Sequence, residues 1–431
     1  MSKMGSRIRV VKARETYGRG RPGVEAEVIT EDGSSGLGVV LGGGSMGNYE
    51  ALFLTDGGDR YGGKGTLKAV SNVNDVIAPK LIGMDATDQR NIDRLMIELD
   101  GTSNKSRLGG NAIGAVSAAV LRAASKSLGV PLYRYVGGVN ACILPVPVAS
   151  IMGGMSTRYG APESSNTGKP DFHFVAYDFK NFSESIYALR DVYSELEVVV
   201  RRKYGKEVRP VYGSQLFNRI QRDDEVWDLM VEAIDVAGYT KKVGLYMDCA
   251  ACCYYDEGEQ KYVGLYSRGD KTREDLVELY RRWVGTYPIL ALEDPLDEND
   301  FEGHASLVKE IGIEIVGDDL FATSPKRLQK GIELGSTTAM LLKFNQVGTV
   351  TEALDAAQMA IRSGLGVVPC GSRGEHNAGE QWLGDVMVGL GALYSRSIKM
   401  EGECESRLLR IEEELDNRAV FPGKEAFRHR R

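Results

Sequence analysis

The first 35 residues alternate apolar and polar side chains, a pattern typical of β-strands that bury one face. Two such runs, "RIRVVKA" and "GVEAEVIT", are joined by the glycine- and proline-rich "YGRGRPG", which predicts an antiparallel hairpin. The following "GVVLGGGSMGNYEAL" is predicted to be a glycine-rich loop. Because it lacks the lysine of a GxxxxGK[ST] loop, its glycines alone do not indicate a nucleotide site.

From about Lys68 to Gly129 the apolar residues recur with helical spacing. Three helices are predicted in this region, the second capped by Thr87 and the third closed by Gly129. Their sequences are "SNVNDVIAPKLIG", "ATDQRNIDRLMIELD" and "NAIGAVSAAVLRAASKSLG". Strands followed by helices indicate a small α+β domain, which we place at residues 1–138.

Beyond residue 140, short apolar runs alternate with longer amphipathic segments, the pattern expected for strands followed by helices. The predicted strands are "VPVAS", "FHFVA", "VGLYMD", "PILALE", "IEIVGDD", "AMLLKF", "GVVPC" and "RSIKM". Repeated strand and helix units predict parallel strands joined by helical crossovers. About eight strands in residues 139–431 fit a closed barrel better than an open sheet. The predicted fold class is α/β, a TIM-like βα barrel preceded by an α+β capping domain.

Charged residues stand where five of these strands end. Three are the carboxylates Asp248, Glu293 and Asp318, and two are the lysines Lys343 and Lys399. In a βα barrel the carboxyl ends of all strands open onto one face, where the active site lies, so we expect these side chains to converge. A single acid after a strand is commonly a helix cap instead. Three acids on successive strand ends, together with two lysines, favour a functional site.

Carboxylates brought this close would repel one another and raise each other's pKa unless a cation lies between them. Oxygen ligands without histidine or cysteine suit Mg²⁺ rather than Zn²⁺. A lysine beside that cation would have a lowered pKa and could act as a general base. This combination favours removal of a proton next to a carboxylate, while the metal offsets the developing charge. The alternative for Lys343 is a lysine that merely balances the acids.

The overall charge narrows the choice of partners. The 431 residues carry a formal net charge of −7, so we expect neither nucleic-acid binding nor attachment to an anionic membrane. The basic "MSKMGSRIRVVKAR" at the N-terminus is not followed by the apolar segment of a signal peptide. No uninterrupted apolar run is long enough to span a bilayer. These features predict a cytoplasmic protein.

Cysteines and histidines offer little for a metal site. Cys249, Cys252 and Cys253 cluster in "CAACC", but a zinc site would need a second pair at suitable spacing. We therefore interpret the six cysteines as reduced thiols. The chain has four histidines, too few for a histidine-rich catalytic or metal site.

At the strand-end residues the sequence resembles enolase. "GLYMDCA", "LEDPLDENDF", "IVGDDLFATSP", "LLKFNQVGT" and "LLRIEEEL" look like segments of the enolase barrel. Residues 49–119 resemble the enolase N-terminal domain almost throughout, and the whole resemblance runs from about residue 7 to 425. It implies an enolase-type barrel and capping domain, and a homodimer or higher homo-oligomer.

The resemblance also implies roles for individual residues. Asp248, Glu293 and Asp318 would be Mg²⁺ ligands, and Lys343 would be the base that abstracts the proton. Lys399 would contact the substrate carboxylate. Ser45, in "GGGSMG", would be a mobile-loop ligand to a second Mg²⁺ held against a substrate phosphate.

Several segments depart from the family pattern. The family's Gly-Asp-Glu-Gly-Gly loop, whose glutamate helps to expel hydroxide, is replaced at 211–219 by "VYGSQLFNR", which has no acid. The Asn-Gly-Gly-Ser-His segment has lost its histidine. Gln-Glu-Phe has become "PDF", leaving Asp171 in place of the glutamate and His173 two residues on. Ser-His-Arg-Ser-Gly-Glu has become "CGSRGE", in which Ser372 and Arg373 could hold a phosphate or phosphonate.

These departures lead us to expect a Mg²⁺-dependent enzyme diverged from ordinary 2-phosphoglycerate dehydration. Its substrate would be a small phosphorylated or phosphonylated carboxylic acid, converted through an enolate or enolpyruvate. A first alternative is group transfer of the carboxyphosphonoenolpyruvate synthase type, in phosphonate biosynthesis. A second is true phosphopyruvate hydratase, which converts 2-phosphoglycerate to phosphoenolpyruvate. A third, from a different class, is a non-catalytic enolase-like binding module.

Overall fold

The chain folds into a three-stranded sheet with helices, followed by an eight-stranded barrel, in a computed structural model. The structure describes residues 5–18, 20–42, 48–153, 169–210, 216, 219–220, 222, 224–263, 269–371, 382–399 and 403–427. The strands are β1 (Ile8–Gly18), β2 (Arg21–Thr30), β3 (Ser35–Leu41), β4 (Val146–Gly153), β5 (Asp171–Ala176), β6 (Val243–Asp248), β7 (Tyr255–Asp256), β8 (Lys261–Tyr262), β9 (Ile289–Glu293), β10 (Glu314–Gly317), β11 (Ala339–Leu342), β12 (Gly366–Pro369) and β13 (Tyr394–Lys399). The α-helices are α1 (Leu67–Ser71), α2 (Ala78–Leu81), α3 (Gln89–Asp100), α4 (Gly110–Leu128), α5 (Leu132–Gly137), α6 (Phe182–Tyr204), α7 (Glu225–Val236), α8 (Arg273–Thr286), α9 (Phe301–Ile311), α10 (Pro325–Leu334), α11 (Phe344–Val347), α12 (Val350–Arg362), α13 (Trp382–Gly389) and α14 (Glu403–Leu415).

The N-terminal hairpin is confirmed, since β1 and β2 pair antiparallel. The loop predicted after it is wrong in part, because Ser35–Leu41 forms a third antiparallel strand against β2. Gly36 and Gly38 belong to that strand, and α4 packs directly across them. A Cβ atom on Gly38 would lie 2.0 Å from the backbone oxygen of Ala115. The glycines are therefore needed for close helix packing on a strand.

The helices of the N-terminal region follow the predicted pattern. The first predicted helix is α1 and α2 joined by a π-helical turn, Asn72–Ile77. Thr87 is not the cap of α3, because the Asp88 side chain accepts the backbone N–H of Asn91 instead. The Thr87 hydroxyl donates to Asp85 Oδ1 at 2.8 Å. Helix α4 ends as predicted, with Gly129 in the left-handed region at φ 66°.

Among the described residues, no single helix is both long and apolar enough to cross a membrane. Helix α4 passes the same test only when it is joined to Leu132–Asn140, across a bend of 98°.

All eight predicted barrel strands are present, in the order β12-β11-β10-β9-β6-β5-β4-β13. Strands β12 and β13 approach each other, so the sheet is nearly closed. The prediction of parallel strands throughout is wrong for β5, which pairs antiparallel with both β4 and β6. The physical reason lies in the connection from β5 to β6. It contains two helices, α6 and α7, and the second helix returns the chain in the opposite direction.

A layer of buried side chains, with members from every barrel strand, fills the space inside the barrel. The members of this inner layer are Val146, Val148, Val175, Tyr177, Tyr246, Leu290, Ala291, Val316, Ala339, Leu341, Val368, Cys370, Tyr394, Ala426 and Phe427. A second, larger core packs the strands against the surrounding helices. Because strand side chains alternate, a residue two places after Tyr246, Ala291 or Val316 also faces inwards. The candidate site is built from these inward-facing residues.

A buried carboxylate ties the N-terminal domain to the barrel. Asp93 on α3 accepts the Ser117 hydroxyl at 2.7 Å and the backbone N–H of Thr351, at the start of α12, at 2.9 Å. Burial raises the pKa of Asp93, although these hydrogen bonds oppose the shift. The contact holds the N-terminal domain beside the carboxyl-terminal face of the barrel, close to the strand-end residues.

Candidate active site

The three predicted carboxylates lie at the carboxyl ends of neighbouring strands. Asp248 ends β6, and Glu293 is its register partner at the end of β9. Asp318 follows β10 directly. Each is at most 5% exposed. All three have the inward phase of their strands, two residues beyond the inner layer, so they face the interior at the same end of the barrel.

Glu293 is the most deeply buried of the three, with no exposed surface. The Tyr246 hydroxyl donates to its Oε2 at 2.5 Å. Burial raises the pKa of Glu293 well above its usual range. Arg396 opposes that shift, and the neighbouring Asp248 and Asp318 carboxylates reinforce it. Proximity to like charges is the arrangement that a bound cation relieves.

Lys343 caps helix α11 directly after β11, and its Nζ forms an ion pair with Asp318 Oδ2. Gln346 donates to the other oxygen, Oδ1, at 2.8 Å. Burial is the largest influence and would lower the pKa of Lys343, but Asp318, reinforced by Cys370 and Asp319, raises it overall. The lowered pKa that we expected beside a cation is therefore not found while Asp318 is the direct partner of the ammonium.

A second residue at the end of β9 joins the acid cluster. One ligand atom from each of Glu293, Asp294 and Asp318 can be chosen so that all lie within 4.8 Å of one another, close enough for a metal ion. Asp294 is already engaged, however. Its carboxylate accepts the backbone N–H groups of Asp318 at 3.0 Å, Asp319 at 2.7 Å and Leu320 at 3.3 Å. We therefore interpret Asp294 as the residue that shapes the turn holding Asp318.

Asp248 is not part of that cluster, and its carboxylate forms ion pairs with two cations instead. Lys169 Nζ and Arg396 Nη2 both pair with Asp248 Oδ2. Burial would raise the pKa of Asp248, but Arg396 and then Lys169 outweigh it and lower the pKa. Asp248 nevertheless stays beside Glu293, since the two are partners on adjacent strands with the same phase.

The start of β5 brings two predicted residues to the same face. Asp171 is opposite Asp248 in the register of β5 and β6, and Lys169 Nζ lies 3.2 Å from its Oδ2. His173 is fully buried one step deeper in the barrel, with Nδ1 3.3 Å from the Tyr246 carbonyl oxygen. Burial lowers the pKa of His173 well below its usual range, which makes the ring neutral.

Four predicted residues cannot be placed by their side chains. Ser45, Ser372 and Arg373 lie outside the described residues. Lys399 is the last residue of β13, and its side chain also lies outside the description. Most of the replaced loop at 211–219 falls outside it too.

Sequence reasoning missed several polar residues at this face. Arg396 is the clearest, since it lies two residues after the inner-layer Tyr394 and therefore faces inwards. Strict alternation back from Lys399 would have placed Arg396 on the opposite face. The pairing of β13 with β4 shifts register between Ser395 and Ile398, so the structure was needed to find it. Gln346 needed the tertiary structure, because it connects Asp318 to Glu50 of the N-terminal domain, with Nε2 3.4 Å from Glu50 Oε1.

Carboxylates and a lysine at the carboxyl ends of the strands of an α/β barrel are typical of barrel enzymes, whose active sites lie at that end. Comparison with known proteins places the chain further. The family models for the enolase N-terminal domain and the enolase C-terminal TIM barrel domain match residues 8–136 and 141–430. The chain belongs to the enolase family, and it is an enzyme, a lyase of the enolase superfamily.

Curated relatives match this chain over nearly its whole length. The enolase of Methanopyrus kandleri is 44% identical, covering 98% of this chain and 99% of the relative. The enolase of Thermococcus gammatolerans is 44% identical over 97% of each chain. The enolase of Thermococcus kodakarensis is 43% identical over 96% of each chain.

These relatives overturn the prediction of an enzyme diverged from ordinary enolase. That prediction rested on short substituted segments, whereas proteins named enolase match the chain along its length at this identity. They favour the alternative of a true enolase, and nothing in them indicates a carboxyphosphonoenolpyruvate synthase. The alternative of a non-catalytic binding module is also wrong, since the chain is an enzyme.

The enolase family implies a divalent metal, and the residues present fit one. The donors at the acid cluster are carboxylate oxygens, the ligands preferred by hard divalent cations. Glu293 Oε1 is buried and accepts no hydrogen bond from the described residues, although Arg396 Nη1 lies 3.0 Å away as an ion-pair partner. A buried carboxylate oxygen with that much unused capacity is suited to a metal ligand.

Proposed function

We propose that this protein is an ordinary Mg²⁺-dependent enolase, which dehydrates 2-phosphoglycerate to phosphoenolpyruvate. The observation that supports it most is the buried Lys343–Asp318 ion pair beside Glu293, at the barrel face of a chain similar to enolases along its length. The substrate is a small phosphorylated carboxylic acid, and a base is needed next to its carboxylate.

The proposed metal ligands are Asp248, Glu293 and Asp318. Asp294 supports them by holding the turn that contains Asp318. When bound, Mg²⁺ would supply positive charge where the substrate carboxylate becomes more negative. For Asp248 to take part, its carboxylate has to turn from Lys169 and Arg396 towards its strand neighbour Glu293.

Lys343 is the proposed base, which takes the proton from the α-carbon of the substrate at Nζ. Asp318 is the group that keeps its pKa high. Burial is the largest influence on the pKa of Lys343, and burial lowers the pKa of an amine. If the Asp318 oxygens held Mg²⁺ instead of the ammonium, the pKa of Lys343 would therefore fall. The lysine then becomes a competent base near neutral pH.

The remaining assignments rest on the sequence. Lys399 and Ser45 follow the family resemblance, whereas Ser372, Arg373 and His173 lie in the segments that depart from it. Lys399 would contact the substrate carboxylate, while Ser372, Arg373 and His173 would help to bind the substrate. Ser45 would hold a second Mg²⁺ against the phosphate. We place the two domains at 1–138 and 139–431, and expect a homodimer or higher homo-oligomer, which sedimentation of the purified protein would test.

Asp171 is the proposed proton donor to the departing hydroxide. The reaction breaks the bond between carbon and the hydroxyl group, and the hydroxide leaves as water once it gains a proton. Asp171 lies beside Asp248 at the same face, and burial raises the pKa of its carboxyl although Lys169 opposes that shift. Lys169, 3.2 Å away, orients the carboxyl group.

Asp171→Asn should lower kcat for phosphoenolpyruvate formation by about 10²–10⁴-fold, the usual contribution of one general acid. Exchange of the α-proton in deuterated water should persist, because Lys343 and the metal ligands are intact. The two rates, measured on the same sample, check the prediction. The exposed Asp191→Asn on α6 is the control. Equal losses in exchange and product formation would show that Asp171 is not the acid.

The direct test of the function is to incubate the purified protein with Mg²⁺ and 2-phosphoglycerate and to follow phosphoenolpyruvate by absorbance. We expect product at a rate typical of enzymes, on the order of 1–10³ per second. Removal of Mg²⁺ with a chelator should stop the reaction, and added Mg²⁺ should restore it. Absence of product at saturating Mg²⁺ and substrate would refute the proposal.

A further inference from the structure

Arg396 brings a permanent positive charge into the candidate metal site. It lies within β13, is 7% exposed, and faces three carboxylates. Its Nη2 pairs with Asp248 Oδ2 and lies 3.6 Å from Asp171 Oδ2, while Nη1 lies 3.0 Å from Glu293 Oε1. Burial alone would lower the pKa of Arg396, but Asp248 and Glu293 outweigh it and keep the guanidinium charged.

Two of the three carboxylates that Arg396 faces, Asp248 and Glu293, are proposed metal ligands. Mg²⁺ requires its oxygens at about 2.0–2.1 Å in near-octahedral geometry. A guanidinium nitrogen lies 3.0 Å from Glu293 Oε1, so it occupies space beside an oxygen that such an ion would use, although it makes no hydrogen bond to it. The two cations also repel each other at this distance. Metal and guanidinium therefore compete for Asp248 and Glu293, unless Arg396 moves or shares a carboxylate.

The same arginine also offsets repulsion between the acids. Asp248 and Glu293 are partners on adjacent strands, and removing the positive charge between them would leave two buried carboxylates facing each other. Leaving buried charge uncompensated is strongly destabilising. Lys169 offsets some of this repulsion at Asp248, but no ion pair joins it to Glu293 among the described residues. Among the described side chains, Arg396 is the cation that forms ion pairs with both acids.

We propose that Arg396 is an internal counter-cation of the metal site, a positioning residue that holds Asp248 and Glu293 together and competes with Mg²⁺ for them. The inference rests on the metal site of the proposed function. It has two consequences. The protein stripped of metal keeps its fold around the site, and its affinity for Mg²⁺ is lower than the carboxylates alone would give.

The test compares the full-length protein with Arg396→Met and Arg396→Lys, using Mg²⁺ alone as the probe and no substrate. Calorimetric titration measures the Kd for Mg²⁺, and thermal melting with excess chelator or saturating Mg²⁺ measures stability. Arg396→Met should bind Mg²⁺ about 5- to 150-fold more tightly, the usual range of coupling between two ligand sites. Its Tm should fall in chelator and recover with Mg²⁺, so that the metal-induced rise in Tm exceeds that of the unaltered protein.

Arg396→Lys keeps one positive charge without the planar fork, so its affinity should lie between the other two. If the methionine variant does not fold, Arg396→Lys still allows the Mg²⁺ affinity to be compared with that of the unaltered protein. Arg362→Met, an exposed arginine on α12, should leave both quantities unchanged.

Equal or weaker Mg²⁺ binding by both Arg396 variants would overturn the inference. If the unaltered protein forms phosphoenolpyruvate and only this result fails, the proposed function stands and the inference about Arg396 alone falls. If none of the proteins binds Mg²⁺, the proposed metal site falls together with the inference.

Discussion

Replacing Lys343 with alanine should lower phosphoenolpyruvate formation by about 10⁴-fold, the upper end of what one general base contributes. Exchange of the substrate α-proton in deuterated water should fall equally, because the same Nζ would remove that proton in both measurements. This joint loss distinguishes Lys343 from Asp171, whose replacement should spare exchange. Both rates are measured by NMR on a single sample with saturating Mg²⁺ and 2-phosphoglycerate.

Loss of the ammonium also leaves the buried Asp318 without its ion-pair partner, which could destabilise the fold. Lys343→Arg separates the two effects, since arginine keeps the charge but does not lose its proton in proteins. It should be nearly as inactive as the alanine variant and melt close to the unaltered protein. The exposed Lys326→Ala on α10 is the control. Substantial exchange by Lys343→Arg would contradict the assignment of the base.

Asp318→Asn should weaken Mg²⁺ binding by about 10²-fold or more, since loss of even an outer-sphere partner of a metal typically costs 10–100-fold. The amide keeps the size of the side chain but removes the charge that attracts both the metal and Lys343. Activity at ordinary Mg²⁺ concentrations should fall with the affinity. Calorimetric titration with Mg²⁺, together with the Mg²⁺ dependence of kcat, provides the measurement.

The control for this variant is Glu302→Gln, an exposed glutamate in the first turn of α9. It carries the same change of charge outside the site and should leave the Kd for Mg²⁺ unchanged. If Asp318→Asn bound Mg²⁺ as tightly as the unaltered protein, the ion would have to be held by other carboxylates. Asp248 and Asp294 would then be the next ligands to replace.

The prediction of an enzyme diverged from ordinary enolase was wrong because it relied on short motifs. Substitutions in "VYGSQLFNR" and "CGSRGE" favoured an enzyme diverged from ordinary enolase, but each segment covers only a few residues. Identity of 44% over 98% of the chain is a broader observation, and it favours ordinary enolase. A proton donor is defined by its position in space, so a lost acid in one loop does not exclude one on a neighbouring strand, such as Asp171.

The sequence by itself determined the barrel, its eight strands and the acids at their ends. Strand periodicity is local, and the carboxyl ends of barrel strands lie on one face whatever the details of packing. Thus Asp248, Glu293 and Asp318 could be predicted as neighbours without knowing their partners.

Only the tertiary structure decided the direction of β5, the packing of α4 over Gly38 and the cations that pair with each acid. Arg396 and Asp248 are far apart in the chain, and strand periodicity does not specify which buried charges meet. Ion pairing in a barrel depends on the stagger between strands and on side-chain reach, which arise when the sheet closes. For the same reason the raised pKa of Lys343 followed from its contact with Asp318 and was not foreseen from its place at a strand end.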